Sequence, residues 1–567
     1  MHGLSRRGMS LIDVIVGTAL ILIVFLALMG VLRASLLVSS RAKARIGATT
    51  LAATQMEYLR GLSYDALGTV GGIPAGSVPQ TATTTENGID YVTHTFIEYI
   101  DDPADGTGAN DTNGITTDYK RARVSVTYGS GAQSGSVTYV SNFSPPGLET
   151  TNGGGTLAVD VVDASGNPVA GATVTIQDPS LSPAVDLTTL TDNAGTVVLP
   201  GAATSSDYRV TVTKSGYSTA MTYARDANNQ NPNPGYLTVA KNQTTTGTFA
   251  IDRLATFSLA TFSPIATSTF ADSFADTSKL AAMSSTTVSD GALSLVALAS
   301  DGSARSVATT SPYLARWGEF SATTTVPSGA TLLFHIYDGS GNLLPDTALP
   351  GNSAGFSAVP VLLYGISTTT YPSLAADADF SMTGSTSPSV THWSLSYTAG
   401  PVPLPHVSYT LTGAKTVGST GAGAPIYKTV MTASTGSAGT DTETLEWDSY
   451  TLSLSGYDIE DACPSSPYAV APAATFAAKL ILGAATANSL RVLVSDNAGS
   501  AVGGASVTLA DAGYSKTVSS SSCGDAYFGG VPAATDYTVT IAKTGYTTTQ
   551  FTNVAVSGET VYNAAFP

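Results

Sequence analysis

Apolar and polar positions change rhythm several times along the chain. The first rhythm is an apolar run from Val14 to Leu32 that contains no charged residue. About 20 such residues are enough for one helix to cross a bilayer. A single carboxylate, Asp13, stands at the start of the run, where a charge is costly and needs a partner. Beyond the run, Leu36, Leu37, Leu51, Met56 and Leu59 recur at loosely helical spacing among Ala, Ser, Arg and Lys. Gly61 and Ser63 supply a stop. One helix from Met9 to about Arg60 is therefore expected, roughly 75–80 Å long at about 1.5 Å per residue. Gly30 falls mid-span and costs about 1 kcal/mol relative to Ala, which favours local unwinding there.

The second rhythm is strict alternation. "TFIEYI" and the pair "RARVSVTY" and "GSVTYVSN" read as strands, the last two joined as a hairpin through "GSGAQS". A head of one helix and a small antiparallel sheet is predicted over 61–150. "SPPGLETTNGGG" breaks the alternation and reads as a linker.

The third rhythm is a repeat. "TLAVDVVDASGNPVAGATVTI" (156–176) aligns without a gap to "SLRVLVSDNAGSAVGGASVTL" (489–509). Each is followed by a strand ending in Gly-Tyr, "DYRVTVTKSGY" (207–217) or "DYTVTIAKTGY" (536–546). A diverged copy ends in "DSYTLSLSGY" (448–457). Alternating strands around an Asp-x-x-Gly turn predict β-sandwiches of about seven strands. The expected order is 155–251 sandwich, 252–400 another β block, 401–487 diverged sandwich and 488–567 sandwich. The fold class is mainly β with a long N-terminal α-helix and an α+β head, followed by tandem β-sandwich domains of Ig-like size.

Composition narrows the partners. At 567 residues the chain has room for about four domains. Only 11% of residues are charged, the net charge is −17, and Ser, Thr, Ala and Gly dominate, as suits extracellular β-modules. No basic patch exists, so nucleic acid is not an expected partner of the soluble part. Two cysteines, Cys463 and Cys523, have no metal-ligand spacing and, in an exported chain, are expected to form one disulfide. That bridge would staple the linker region near residue 463 to the last module.

The N-terminal series Arg6-Arg7-Gly8-Met9-Ser10-Leu11-Ile12-Asp13-Val14 resembles the type IV prepilin signal. The resemblance implies a leader of residues 1–8 that a prepilin peptidase removes after Gly8. It makes Met9 the methylated mature N-terminus, and it makes Asp13 the carboxylate that meets a neighbouring N-terminal amine during assembly. Asp stands where the family has Glu, one methylene shorter. Loss of Arg6 and Arg7 would take the charge from −17 to −19. The repeats resemble carboxypeptidase regulatory-like (prealbumin-like) domains, which are non-catalytic. The 252–400 block resembles a concanavalin-like jelly roll, an architecture that includes lectins. Its Trp317 and Trp393 read more simply as core residues.

Candidate chemistry is sparse. His2, His94, His335, His392 and His406 are scattered, and neither a nucleophile elbow nor a phosphate loop is present. Asp338 beside His335 reads as a turn residue. Glu443 and Glu446 have odd spacing, which sends them to opposite strand faces. One acidic loop, "DDPADGTGANDTNGITTD", gathers Asp101, Asp102, Asp105, Asp111, Asn113 and Asp118. Hard oxygen donors in a flexible loop suit calcium, with a solvated acidic loop as the plainer reading.

The expected function is that of a non-enzymatic minor type IV pilin-like surface subunit whose modules serve adhesion. Expected partners are the prepilin peptidase, other pilin subunits, the membrane through residues 9–32, and a surface or glycan ligand. The expected location is the inner or cytoplasmic membrane with the N-terminus inside, then the pilus or cell surface. Two alternatives are a pseudopilin of a type II secretion or DNA-uptake system and a membrane-tethered carbohydrate-active protein.

Overall fold

The computed structural model describes residues 11–107, 111–112, 114–129, 134–146 and 153–567. It consists of one long helix followed by β-sandwich strands. The helix, α1, runs from Leu11 to Arg60. Its last third lies on a four-stranded antiparallel meander of strands Thr81–Glu86, Ile89–Ile100, Tyr119–Tyr128 and Gly135–Phe143. Ala48, Ala52, Met56 and Leu59, three or four residues apart, form the buried stripe of the helix. Ile97, Ala122, Val124 and Val126 answer it from alternate positions of the sheet. Asn87 and Gly88, both at positive φ, make the tight turn between the first two strands.

Two contacts fix the helix on this sheet. At Gly47 the helix passes so near Tyr91 that an added Cβ would lie 2.8 Å from the Tyr91 ring carbon Cζ. Lys120, on the sheet, is buried, and its Nζ donates to the carbonyls of Tyr64 (2.7 Å) and Leu67 (2.8 Å) just past the helix end. The same ammonium sits 4.6 Å from the Tyr64 ring centroid. Burial pushes its pKa down to about 8.

Three sandwiches share one strand plan. In the first module, Gly155–Val162 runs parallel to the closing strand Thr244–Ala250 and antiparallel to Thr196–Ala202. In the last, Ser489–Ser495 is parallel to Glu559–Ala565 and antiparallel to Asp525–Gly529. Ala255–Ser263 stands in the same relation to Thr475–Ala484 and Thr440–Leu445. Each module also buries one tyrosine whose hydroxyl donates to a carbonyl four or five residues upstream. The pairs are Tyr208 to Ala203, Tyr450 to Glu446 and Tyr537 to Pro532, each at 2.9 Å. This is the tyrosine corner of sandwich folds, which holds a strand entry in place. The Asp-x-x-Gly turns are closed by the Asp itself: Asp163 accepts from the N–H groups of Ser165 and Asn167, and Asp496 from those of Ala498 and Ser500.

The third sandwich corrects the expected domain order. Its first strand is Ala255–Ser263, and its next long strand, Ser408–Gly413, comes after about 265–400 have formed a separate domain. The 252–400 block is thus not a tandem neighbour of 401–487 but is inserted between two strands of it. The chain leaves at Ser263 and returns at Val402, which pair with each other, and Ala266 pairs with Ala399 just inside the inserted domain. Entry and exit therefore share one narrow neck. The inserted domain is itself two sheets around a core in which Trp317 and Trp393 are fully buried.

The close approach at Gly47 yields a test. Gly47→Ala gains about 1 kcal/mol of helix propensity, but overpacking against Tyr91 costs about 1–3 kcal/mol. The melting transition of the head should fall, and Tyr91→Phe in the same chain should recover part of the loss. A rise in melting temperature for Gly47→Ala alone contradicts the contact.

Candidate functional site

The helix divides into two halves with opposite environments. From Leu11 to Val38 nearly all of its described large apolar side chains, among them Ile12, Leu20, Phe25 and Leu36, are exposed, with Leu37 partly buried. The stretch is long and apolar enough to cross a membrane, and none of the described residues buries it. A segment apolar all round must be covered by lipid or by other helices. Such a helix fits a membrane-anchored or cell-surface protein. Gly8 and Met9 lie outside the described residues. Asp13 lies within α1, and its side chain is likewise outside what is described.

Three carboxylates of the acidic loop accept hydrogen bonds from the loop's own backbone. Asp118 accepts from the Asp102 N–H at 2.5 Å, Asp102 from that of Ala104 at 3.0 Å, and Asp111 from that of Gly114 at 3.2 Å. Asn113 lies outside the described residues, while Asp101 and Asp105 belong to the same loop. Among the described residues, no group of three or more His, Cys, Asp or Glu is placed to hold a metal ion.

The remaining candidates serve structure. Asp338 closes a turn by accepting from Ser340 and Asn342. His335 is buried, with Nδ1 2.7 Å from the Asn352 carbonyl oxygen. Glu446 is buried between Lys428 (2.7 Å) and Lys415 (3.5 Å), whereas Glu443 lies on the strand Thr440–Leu445. The two glutamates do not form a shared acid–base pair.

Junctions between modules hold polar contacts that, apart from the disulfide, the sequence did not reveal. The head meets the first module through Gln80, whose amide donates to the Asp186 carbonyl at 2.6 Å while its own oxygen accepts from the Thr188 N–H. The first module meets the third by adding Asn231–Pro232 to the edge of a hairpin, Thr416–Ser419 with Pro425–Tyr427. Asn229 reinforces this with a bond from its amide to the Val417 carbonyl. The third and last modules are joined covalently. Cys463 is bonded to Cys523, with Cα atoms 5.5 Å apart. Cys463 ends the strand Tyr457–Cys463 of the third sandwich rather than lying in a linker. Closing a separation of 60 residues contributes about 4 kcal/mol in the chain-entropy picture.

Around the bridge, polar groups cross the junction. Tyr527 donates to Asp458 (2.6 Å), Ser521 donates to Asp461 (2.6 Å), and the Ala462 N–H donates to Asp525 (3.4 Å), which pairs with Arg491 (3.4 Å) inside the last module. Asp525 and Arg491 are both buried, as is Tyr468 beside them, whose hydroxyl is pushed up to about 12 by burial. Burial pushes the Asp525 carboxyl up to about 7; Arg491 opposes the shift and the neighbouring Asp461 adds to it.

Comparison with known proteins bears on the modules. Two of them match the carboxypeptidase regulatory-like domain. The matched residues are 156–252 and 489–566, the first and last sandwiches. The host sandwich between them has the same strand plan. No curated protein matches the chain. Among solved structures, the chain is similar to the Bacillus anthracis TIE protein at 10% identity, covering 87% of this chain and 74% of that one, with a TM-score of 0.16. It is similar to BcpA, the major pilin subunit of Bacillus cereus, at 10% identity over 73% of this chain and 99% of that one, TM-score 0.14. For the major pilin SpaD of Corynebacterium diphtheriae the values are 11%, 73%, 97% and 0.12. Scores this low leave the functional reading to the residues of the chain itself.

The carboxypeptidase regulatory-like module at the C-terminal end should respond to pH through Asp525. Its folded pKa, about 7, lies above the ordinary 3.8. Between those values the folded state keeps a proton that the unfolded state releases, so stability falls as pH rises through this window. Thermal melts from pH 5 to pH 8 should show that decline, and Asp525→Asn should flatten it. Equal slopes for the two proteins would show that Asp525 does not carry it.

Proposed function

We propose that this chain is a non-catalytic, pilus-like surface subunit, processed as a type IV prepilin and presenting β-modules for adhesion. One observation carries the reading. A single helix is bare and apolar over its first half and docked on a four-stranded sheet over its last third. The first half suits a membrane before assembly and the core of a helical filament after it. The head gives each subunit a rigid body around that core. The leader Arg6-Arg7-Gly8 and the acid at Asp13 supply the processing and assembly signals. The prepilin peptidase and other pilin subunits are then the partners, with the N-terminus on the cytoplasmic side before assembly. Three sandwiches and an inserted domain extend far beyond what packing in a filament needs. That bulk favours display over the piston role of a secretion or DNA-uptake pseudopilin.

Processing and assembly can be tested separately. Mass spectrometry of the mature N-terminal peptide should find it beginning at methylated Met9, and Gly8→Val should retain residues 1–8. A mature surface protein that still begins at Met1 rejects the prepilin reading. Asp13→Ala should be cleaved and inserted but depleted from sheared filaments. The Met9 amine would enter the core without its carboxylate, a loss of about 3–5 kcal/mol for a broken buried pair. Asp13→Glu should restore incorporation.

A further inference from the structure

A cavity of about 530 Å³ lies between the head and the first module, within the usual range of binding sites. Its head wall is the outer face of the meander, with Phe96, Glu98, Arg123 and Val140, and its module wall carries Leu190 and Val198. Val140, Leu190 and Val198 remain 56%, 54% and 46% exposed, so neither body covers this apolar lining. Two open strand edges border the cavity. Val185–Leu190 and Thr196–Ala202 are edge strands of the two sheets of the first module.

The head already meets the first of these edges as a neighbouring strand would. The Asp186 N–H donates to the Gly71 carbonyl (2.8 Å), and the Asp186 carbonyl accepts from the Gln80 amide (2.6 Å). The Thr188 N–H donates to the Gln80 side-chain oxygen (3.1 Å). On an edge strand, the outward backbone groups recur at every second residue. Leu190 is therefore the next outward position, and no described head residue bonds to it. The covered edge stops where the cavity begins.

Across the cavity, the head wall holds one acceptor and one donor. Neither Glu98 nor Arg123 makes a hydrogen bond or an ion pair among the described residues. Arg123 only lies over the Phe96 ring, 5.2 Å from its centroid. Arg121, which faces Glu98 in register, instead gives its Nε to Asn142 (3.1 Å) and an Nη to the Tyr119 hydroxyl (3.3 Å). Burial pushes the Glu98 carboxyl pKa up, against the pull of Arg123 and Arg121. Half-buried polar groups of this kind gain from any ligand that brings the missing hydrogen bonds.

We propose that this cavity receives an extended, uncharged peptide of a partner protein, added as a strand to the open end of the Val185–Leu190 edge. The inference goes beyond the display role proposed above, since the site is built from the head and first module and needs no filament. A peptide strand carries N–H and C=O groups on both sides. One side continues the sheet at Leu190, as Gly71 and Gln80 do at Asp186 and Thr188. The other side offers a carbonyl to Arg123 and an N–H to Glu98. Apolar side chains of the peptide then lie on Phe96, Val140 and Val198. In strand addition of this kind the main chain supplies affinity and the alternate side chains supply specificity.

The test is fluorescence anisotropy of a capped, labelled peptide of alternating Val and Thr, titrated with the detergent-solubilised full chain. Saturable binding is expected. The same peptide methylated at each backbone nitrogen keeps its side chains but loses its donors, and should bind about tenfold or more weakly. That comparison leaves the protein unchanged, so it holds even where a variant does not fold. Leu190→Pro removes the open N–H at an edge position, where proline is tolerated, and should lower affinity about tenfold. Arg123→Leu and Glu98→Leu should each weaken binding about fivefold or more, while Glu98→Gln stays within about twofold because its amide oxygen still accepts. No saturable binding by the wild-type chain, equal binding of the methylated peptide, or wild-type affinity in Leu190→Pro, Arg123→Leu and Glu98→Leu alike would each overturn the proposal. So would dimerisation of the peptide-free chain that Leu190→Pro abolishes, because a second copy would then be the occupant. Peptide binding needs no filament, so its failure and a failure of processing at Gly8 are read independently.

Discussion

The packing of Ala48, Ala52, Met56 and Leu59 against one face of the head sheet is the contact on which the remaining architecture depends. Small side chains, and a glycine where Tyr91 approaches, let the helix lie close to the sheet. That contact uses only the second half of the helix. The first half is left with exposed apolar side chains and nothing among the described residues to cover them. A soluble monomer with such a segment exposed is unfavourable in water, because its apolar surface stays hydrated. The same covalent piece therefore couples a folded head to an environment that other molecules must supply.

Outward from the head, each junction uses a different device. Gln80 bonds across to backbone, an added pair of residues extends a hairpin, and a disulfide sits beside a buried carboxylate network. Within the modules the tyrosine corner and the Asp-closed turns recur, so the sandwiches are built alike even where their sequences have drifted. The inserted domain hangs from the third sandwich by paired entry and exit strands. A module can host an insertion of this size because the two ends of a strand-to-strand loop already lie side by side, and loop length costs little entropy.

Much of this was legible in the sequence. The long helix, the head strands, the two clear repeats and the pairing of the only two cysteines follow from periodicity, alignment and count. The host sandwich was half legible. Its Gly-Tyr strand was visible, but its first strand, Ala255–Ser263, sits some 145 residues upstream of its next long strand, Ser408–Gly413. Alternation marks such a segment as a strand without saying which sheet it joins, since pairing partners are set by packing and not by proximity in the chain. The network of Asp458, Asp461, Arg491 and Asp525 left no local signal, because its members come from two modules.

Immunogold electron microscopy of intact cells and sheared filaments, with antibody against the inserted domain, reads the central claim most directly. Gold along or at the end of surface filaments is the expected result, and it should disappear from them when the chain carries Gly8→Val. Gold confined to the cell membrane, with filaments present and unlabelled, would contradict a filament subunit.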